Sequence, residues 1–308
     1  MYLVTGGAGF IGSNLVERLV ALGRRVRVLD NFSTARAENL APWRDQIEVV
    51  EGDVRDPAAL GRAMAGVQYV LHQAALPSVP RSVADPLTSH EVNATGTLRV
   101  LLAAREAGVQ RLVYASSSSV YGDSPELPKH EAMAPAPLSP YAVSKLAGEQ
   151  YCRTFTAVYG LETVCLRYFN VFGPRQDPGS AYAAVVPKFT AALLDGRQPL
   201  VYGDGQQSRD FTYVENVVAA NLLACQADGA AGQVLNVACG YRFTVLEMLA
   251  GLEAALGRRA EPRFADPRPG EVRHSLASID RARAQLGYEP VVTFEEGLRR
   301  TARWYESR

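Results

Sequence analysis

The pattern of hydrophobic and polar residues predicts buried strands alternating with amphipathic helices. Short apolar runs, each ending at glycine or polar residues, indicate strands over 2–5, 25–29, 47–51, 69–71 and 111–115. After the first strand, Ile11, Leu15, Leu19 and Leu22 recur at helical spacing, which predicts a helix to about residue 22. Continuous apolar strands separated by helices are typical of a parallel sheet that is covered on both faces.

The rest of the chain predicts longer helices and then shorter elements. Long helices are expected over 82–107 and, after Ser139 as a cap and Pro140 in the first turn, over 140–156. Further on we expect a helix opening at 187–189, a strand over 200–203, a helix and a strand over 210–227 and 234–237, and closing helices over 243–256, 279–286 and 294–305. We therefore predict an α/β protein. A Rossmann-type doubly wound parallel sheet would occupy residues 1–169, with a returning segment near 210–240, and a smaller α/β domain would occupy residues 170–308.

Composition narrows the classes of partner. The 308 residues carry 32 basic and 32 acidic side chains and are 47% hydrophobic, so neither nucleic acid nor an anionic membrane is expected as the main partner. The cysteines and histidines are dispersed without metal-ligand spacing, so no metal site is predicted: Cys152, Cys165, Cys225, Cys239, His72, His90, His130 and His274.

Targeting signals are also not expected. The apolar run at 2–4 is too short for a signal peptide, and no run approaches the ~18 apolar residues of a membrane span. We therefore expect a cytoplasmic protein.

A glycine-rich turn follows the first predicted strand. Gly6, Gly9 and Gly12 form a GxxGxxG pattern that also contains Phe10 and Ile11. The first glycine suits a tight turn, the second lets a pyrophosphate approach the backbone, and the third lets helix and strand pack closely. The anion would lie at the helix N-terminus, among unpaired N–H groups. The strand–turn–helix context predicts a dinucleotide site.

An acidic residue ends the second predicted strand and indicates which dinucleotide binds. Asp30 lies 18 residues after Gly12, near the expected ~20, and its carboxylate can accept both ribose hydroxyls and repel a 2′-phosphate. Asn31, Phe32 and Ser33 follow it and add no obvious arginine to hold such a phosphate, which favours NAD over NADP. Asp53, before Val54, could meet the adenine amino group, cap the helix before Pro57, or do both.

The fourth strand leads into small residues that allow a cofactor to pass. These are Ala74 and Ala75; His72 before them is expected to be structural. Asn93 either ties neighbouring backbone or has no special role. The predicted NAD set is Gly6, Gly9, Phe10, Ile11, Gly12, Asp30, Asn31, Asp53, Val54, Ala74, Ala75, Asn93, Tyr141 and Lys145.

The candidate chemistry centres on Tyr141 and Lys145. At i and i+4 of a helix, the phenol and the ammonium share one face. A cation beside the phenol favours the phenolate and would lower its pKa from ~10. Upstream, the serine run 116–119 follows the fifth strand, where hydroxyls point into the ligand crevice of an open sheet.

With these motifs the sequence resembles the extended short-chain dehydrogenase/reductase family, and within it the UDP-hexose 4-epimerases. The resemblance covers nearly the whole chain, and further motifs carry it: GDVRD, HQAA, SSSSVYG, YAVSK, RYFNVFGPRQ, RDFTYVEN and RPGEVRHS.

The resemblance implies a mechanism. Tyr141 would take the proton of the sugar O4 while hydride passes from C4 to NAD, and Lys145 would bind the nicotinamide ribose and tune Tyr141. Ser117, or Ser118 if the register shifts, would hydrogen-bond the same oxygen. The 4-keto sugar would then rotate and take the hydride back on its other face.

The resemblance also implies substrate contacts in the second half. Asn170 would contact the diphosphate near the sugar, Lys188 would open a helix at the nucleotide wall, and Tyr202 would belong to a strand whose backbone pairs with uracil. Arg209 and Arg268 would hold the diphosphate, which guanidinium forks suit.

One position is expected to set sugar specificity. In the family, a bulky aromatic at Ser275 restricts the pocket to glucose and galactose, whereas a small residue leaves room for a 2-N-acetyl group. Ser275 therefore predicts that UDP-GlcNAc and UDP-GalNAc are accepted beside UDP-Glc and UDP-Gal. Alternatively, Ser275 merely follows a loop and another side chain fills the space.

Sister activities and a different class of protein remain as alternatives. A 4,6-dehydratase would carry an Asp-Glu pair, and a uronate decarboxylase a glutamate, where this chain has Ser118 and Ser119. UDP-glucuronate 4-epimerase shares the serine run but tends to carry threonine at Asn170. A non-catalytic NAD-binding sensor would be expected to lose Tyr141 or Lys145. The resemblance further implies a homodimer formed by a four-helix bundle of the helices near 93–107 and 141–159.

Overall fold

The computed structural model describes residues 1–179, 184–267 and 272–308. The strands of these residues are β1 Tyr2–Thr5, β2 Val26–Asp30, β3 Ile47–Glu51, β4 Tyr69–His72, β5 Arg111–Ser117, β6 Glu162–Tyr168, β7 Val171–Phe172, β8 Leu200–Tyr202, β9 Ser208–Arg209, β10 Thr212–Tyr213, β11 Val234–Val237, β12 Phe243–Thr244 and β13 Arg263–Ala265. The helices are α1 Phe10–Ala21, α2 Pro57–Met64, α3 Val79–Ala84, α4 Pro86–His90, α5 Gly96–Glu106, α6 Pro140–Tyr159, α7 Val185–Leu194, α8 Val214–Gln226, α9 Val245–Leu256, α10 Asp280–Leu286 and α11 Phe294–Glu306.

Seven parallel strands form the main sheet, in the order β11-β6-β5-β4-β1-β2-β3. The chain leaves β1 in one direction to form β2 and β3, and returns past β1 to form β4, β5 and β6. The strand order therefore reverses between β1 and β4, and open α/β sheets bind ligands at such a switch point. This arrangement confirms the predicted Rossmann-type sheet.

Both faces of the sheet are buried, which explains why its strands lack polar alternation. Consecutive strand residues point to opposite faces. Val4 packs in a core with Leu15 of α1 and Val217 of α8, whereas its neighbour Leu3 packs in a second core with Leu101 of α5. Continuous apolar strands are thus needed to fill two cores.

A third core lies under the shorter elements of the second half. Aromatic rings from several elements pack there, and the Phe243 and Phe294 rings stack with centroids 4.1 Å apart. Helices α7, α9 and α11 enclose this core. The small sheets β7–β10, β8–β13 and β9–β12 surround it.

The predicted single helix over 82–107 is wrong. The chain forms α3 and α4, then a π-helical turn at Glu91–Thr95, and only then α5. Asp85 breaks the helix before Pro86 and caps α4, since its side chain accepts the Thr88 N–H. Proline disfavours helical geometry in the residue before it, which gives the physical reason for the break.

Other predicted boundaries also shift. The helix expected over 210–227 begins only at Val214, because β9 and β10 precede it. Phe243–Thr244 pairs as a strand before α9, which Thr244 caps. The cap of α2 is Asp56, whose carboxylate accepts the Ala58 N–H, and not Asp53.

In the part of the chain that the structure describes, no helix has the length and apolar character needed to cross a membrane. Nor do those residues bring three or more His, Cys, Asp or Glu side chains together in an arrangement that could hold a metal ion.

Candidate functional site

The glycine-rich turn between β1 and α1 forms a cradle with no room for side chains. Gly6 has a φ of +66°, and a Cβ on it would lie 2.7 Å from the Ala74 backbone nitrogen. A Cβ on Gly12 would lie 2.1 Å from the Gly6 carbonyl oxygen. The N-cap of α1 is Gly9, which makes no side-chain hydrogen bond to the N–H groups of the first turn. The cradle fits the pyrophosphate of a dinucleotide, as the sequence predicts.

Asp30 lies beside this cradle, at the end of β2. Its carboxylate is 7% exposed and accepts the N–H groups of Ala8 and Phe32, both at 2.9 Å. Burial raises the pKa of Asp30, and these backbone donors lower it in part. The two hydrogen bonds fix the carboxylate against the glycine turn, in a position that suits ribose hydroxyls.

Asp53 is held from two sides. Asn31 donates its amide N–H to the Asp53 carboxylate at 2.8 Å, and Arg55 binds both carboxylate oxygens at 2.9 and 2.8 Å. The Arg55 guanidinium lowers the pKa of Asp53 to about 2. Val54, the next residue, is buried. The sequence analysis did not predict that Arg55 would bind both oxygens of this carboxylate.

The segment after β4 crosses the glycine turn, and Asn93 holds it there. Asn93 accepts the Leu76 N–H at 2.8 Å and donates to the Ser144 hydroxyl at 3.1 Å. Of the two sequence alternatives, Asn93 therefore ties neighbouring backbone. It joins the stretch containing Ala74 and Ala75 to α6.

His72 is structural, as the sequence indicates. Its two ring nitrogens pair with Thr5 at 2.6 Å and with Thr97 at 3.0 Å. Burial lowers the pKa of His72 to about 3, so the ring is neutral at physiological pH.

Tyr141 and Lys145 share one face of α6, as predicted. The Ser139 hydroxyl caps the helix, and the Tyr141 N–H donates to the Ser82 hydroxyl at 3.0 Å. The Lys145 ammonium donates to the Ala115 carbonyl at 2.9 Å and lies 6.0 Å from the centre of the Tyr141 ring. The pair therefore faces the carboxyl end of β5.

The predicted lowering of the Tyr141 pKa is wrong for the protein by itself. Burial raises the pKa of this phenol, and the Ser117 hydroxyl only partly offsets that rise. Burial also lowers the pKa of Lys145 to about 8, against the opposing effects of Cys152 and Glu149. Desolvation disfavours the charged form of both groups, and it is the largest effect on each pKa.

The serine run divides at the end of β5. Ser117 is the last residue of the strand and adjoins Tyr141, as its effect on that pKa shows. Ser118 begins a short 3₁₀ turn and lines a neighbouring cavity. Ser119 donates its hydroxyl to the Ser117 oxygen at 2.9 Å, which orients that hydroxyl.

A polar cavity of about 180 Å³ opens beside the serines. Four predicted site residues line it together: Ser118, Asn170, Arg209 and Ser275. Its other described lining residues are Ser119, Tyr121, Gly122, Lys129, Phe169, Val272 and His274. Most of these residues carry a hydroxyl, amide, imidazole or cationic group, and none of the described lining residues is acidic. Such a lining suits a sugar joined to phosphate.

Two of these residues are fixed by backbone contacts. Asn170 has a φ of +37° and donates its amide to the Asp210 carbonyl at 3.1 Å. Arg209 donates to the carbonyls of Ser208 and Arg273, each at 3.0 Å.

Two predicted substrate residues lie outside this lining. Lys188 is half-buried on α7, and Tyr202 ends β8, which pairs with β13. Neither belongs to the lining of the cavity. Arg268 lies outside the described residues.

A buried ion pair that the sequence analysis missed lies beneath the Tyr141–Lys145 face. Glu149 is fully buried, binds the Arg167 guanidinium through both oxygens at 2.8 Å, and accepts the Ser116 hydroxyl. The guanidinium also lies over the Tyr121 ring, 4.6 Å from its centre. The helical spacing 141, 145, 149 was the available signal, because it puts a carboxylate one turn below the lysine.

Comparison with known proteins agrees with this geometry. A family model described as the NAD dependent epimerase/dehydratase family matches residues 2–238. A UDP-glucose 4-epimerase of Mycolicibacterium smegmatis is 42% identical over 310 residues, covering 99% of this chain and 98% of the relative.

Two solved structures superpose closely. A UDP-N-acetylglucosamine 4-epimerase from Methanobrevibacter ruminantium, in complex with UDP-N-acetylmuramic acid, has a TM-score of 0.95 and 41% identity over 99% of this chain and 98% of that one. A UDP-glucose 4-epimerase from Thermus thermophilus, in complex with NAD, has a TM-score of 0.91 and 40% identity over the same shares. With its glycine cradle, its tyrosine and lysine on one helix face and this degree of similarity, the chain belongs to the NAD-dependent epimerase/dehydratase family.

Proposed function

We propose that this protein is an NAD-dependent 4-epimerase of UDP-hexoses, which interconverts UDP-Glc with UDP-Gal and UDP-GlcNAc with UDP-GalNAc. The observation that carries the proposal is that Tyr141 and Lys145 share one face of α6 and that Ser117 adjoins Tyr141, while the next residues, Ser118 and Ser119, line a cavity. Similarity to epimerases over 99% of the chain supports it.

The proposed roles follow from the contacts of each group. Tyr141 removes and returns the proton of the sugar O4, and Ser117, which adjoins it, donates a hydrogen bond to the same oxygen. Ser118 lines the cavity and is the alternative donor. Lys145 is held by the Ala115 carbonyl, so its remaining N–H groups can bind the nicotinamide ribose and favour the phenolate.

The glycine cradle and Asp30 fit NAD. Gly6, Gly9 and Gly12 would receive the pyrophosphate, and Asp30 the adenosine ribose. NAD, when bound, accepts the C4 hydride and gives it back, so the reaction has no net redox change. Asn93 supports the cofactor indirectly, through the backbone of the segment after β4.

UDP-glucuronate 4-epimerisation is the second candidate, and a specific observation favours it. A hexuronate carboxylate needs cations or hydroxyls, and the cavity offers Lys129, Arg209 and three serines. Against it stand Asn170 and the small Ser275, which favour neutral hexoses with or without an N-acetyl group.

Direct assay distinguishes these activities. The purified protein would be incubated separately with UDP-Glc, UDP-GlcNAc and UDP-glucuronate, and the C4 epimers would be resolved by chromatography. We expect epimers of the first two, and NAD released from the denatured protein. Conversion of UDP-glucuronate alone would replace the proposal by the second candidate. Conversion of none would exclude both epimerase functions.

We further infer a homodimer formed by a four-helix bundle. Exposed apolar side chains lie on α5 and α6, the two helices expected in the bundle, among them Leu102 at 36%, Val143 at 51% and Val158 at 64% exposure. A second copy packing there would remove them from water. Sedimentation should give twice the chain mass, and Leu102→Arg together with Val158→Arg should give monomers. A monomeric parent protein would contradict this inference.

The remaining parts of the proposal concern organisation and location. Residues 1–169, with the returning segment 210–240, would form the NAD domain, and residues 170–308 mainly the nucleotide-sugar domain. β11 of the returning segment pairs with β6, in keeping with this division.

A cytoplasmic site of action agrees with four free, buried cysteines, since reducing compartments keep thiols unpaired.

A further inference from the structure

A buried lysine lines the proposed sugar cavity and forms no ion pair with any residue that the structure describes. Lys129 is 3% exposed, and its ammonium donates to the Ser124 carbonyl. Among the described residues, none of the ion pairs includes this ammonium. An ammonium has three donors and no acceptor, so two N–H groups remain for other partners.

Backbone pairing places this lysine next to Ser275. The Lys129 N–H donates to the Leu276 carbonyl at 2.7 Å, and its carbonyl accepts the Ser278 N–H at 2.9 Å. Lys129 thereby forms a parallel bridge with Ala277. Ser275, two residues before Ala277, lies on the same side of this extended segment, because side chains alternate with a period of two. Both Lys129 and Ser275 line the cavity.

The chemistry of the ammonium selects a partner that only accepts hydrogen bonds. Burying a cation is costly, and burial lowers the pKa of Lys129, although the carboxylates of Glu126 and Asp123 partly oppose this. Sugar hydroxyls both donate and accept, and Ser118 and Ser119 of the same cavity can serve them. A carbonyl oxygen accepts only, and so matches a group that donates only.

We propose that Lys129 is a specificity-determining residue whose ammonium binds the carbonyl oxygen of an acylamino substituent on the hexose, in the space beside Ser275. This inference rests on the proposed function and deepens it. Ser275 provides room for the substituent, whereas Lys129 provides binding energy for it. Lys129 therefore discriminates UDP-GlcNAc from UDP-Glc.

The competing explanation is that Lys129 only ties the Ser124 loop. If Lys129 only holds the Ser124 loop, its replacement should lower kcat/KM equally for every substrate. If Lys129 contacts the substituent, its replacement should lower kcat/KM only for the substrate that carries that substituent. The test is therefore the ratio of kcat/KM values for UDP-GlcNAc and UDP-Glc in Lys129→Met. Lys129→Arg keeps a donor. His130→Gln is a control in the same loop, because the His130 side chain pairs at the surface with Glu126.

We expect Lys129→Met to lose at least about tenfold in kcat/KM for UDP-GlcNAc, the effect of one charged hydrogen bond. The loss should lie mainly in KM, and UDP-Glc should change less than about threefold. Lys129→Arg should recover part of the loss, and His130→Gln should resemble the parent protein.

Several outcomes would overturn the inference while leaving the epimerase function intact. These are equal losses for both sugars, a parent enzyme that converts UDP-Glc but not UDP-GlcNAc, or a selective loss for UDP-glucuronate, which would assign the ammonium to a carboxylate. If the parent protein converts none of them, the proposed function fails. In that case calorimetry would measure the dissociation constants of UDP-GlcNAc and UDP-Glc for the parent protein and for Lys129→Met. A loss of affinity for UDP-GlcNAc alone would support the inference, and equal losses for both would overturn it.

Discussion

At the scale of single residues, the main feature is a tyrosine whose environment opposes its proposed role. Burial keeps the Tyr141 phenol neutral, and the Lys145 ammonium is directed to the Ala115 carbonyl. A base with a raised pKa is a poor proton acceptor at neutral pH. The bound cofactor, which is itself cationic at the nicotinamide, would supply the positive charge that this site needs.

Replacing Tyr141 by phenylalanine tests the role of the hydroxyl alone. The ring and its packing remain, so Tyr141→Phe should lower kcat at least a hundredfold, within the usual range for a lost general base. NAD content, measured after denaturing the protein, should not change. Near-normal turnover in this variant would exclude Tyr141 as the base.

At the scale of elements, α6 is attached to the sheet by a charged contact as well as by its apolar face. Glu149 joins the helix to Arg167 on β6 and Ser116 on β5. The Arg167 Nη1 atom is buried without a hydrogen-bond partner, so the pair is not fully compensated. Such a pair contributes less to stability than to fixing where the helix lies.

Removing one charge of this pair should be costly. Glu149→Gln leaves the Arg167 guanidinium buried without a counter-charge, and we expect a loss of about 3–5 kcal/mol in the free energy of unfolding. Denaturant titration measures it. Glu289→Gln, which breaks the exposed pair with Arg283, should cost far less. Equal losses in the two variants would contradict the assigned importance of burial.

The turn between β1 and α1 gives a second prediction at this scale. Gly12→Ala would bring a Cβ to 2.1 Å from the Gly6 carbonyl, so the turn must open and NAD content should fall sharply. In the matched control Gly61→Ala on α2, the new Cβ has no neighbour within 4 Å. The control should keep its NAD and gain slightly in stability. Full NAD content in Gly12→Ala would argue against the cradle.

At the scale of the whole molecule, a buried carboxylate joins segments distant in sequence. Asp210 is fully buried and accepts N–H groups from Cys239, Gly240 and Ala277, at 2.9, 3.1 and 3.3 Å. It thus connects the end of β11 to the segment before α10. Burial raises its pKa to about 7, although these donors favour the carboxylate.

The raised pKa of Asp210 makes the stability depend on pH. Below pH ~4 the group is protonated in both the folded and the unfolded chain. Between ~4 and about 7 only the folded chain keeps the proton, so stability falls as pH rises. Relative to Asp210→Asn, which does not titrate, the parent protein should lose roughly 4 kcal/mol across this window. A flat or rising difference, measured by denaturation at several pH values, would contradict the shift.

The sequence by itself determined the sheet and the cofactor cradle, because both depend on local signals. Apolar strands, glycine spacing and Asp30 at a strand end are readable in short windows, and the structure has them where predicted. The Tyr141–Lys145 face is equally local, since one helical turn fixes it. Pro86 is also a local signal that a helix ends before it. The helical periodicity on both sides of Pro86 nevertheless led to the prediction of one continuous helix.

Only the tertiary structure decided what depends on contacts between distant segments. Burial of the Tyr141 phenol raises its pKa against the effect of Ser117, and no local sequence pattern reports such desolvation. The pairing of Glu149 with Arg167 and the approach of Lys129 to Ser275 join residues 18 and 146 positions apart. Such contacts arise when the crossovers and loops pack on the finished sheet, so they follow from the fold as a whole.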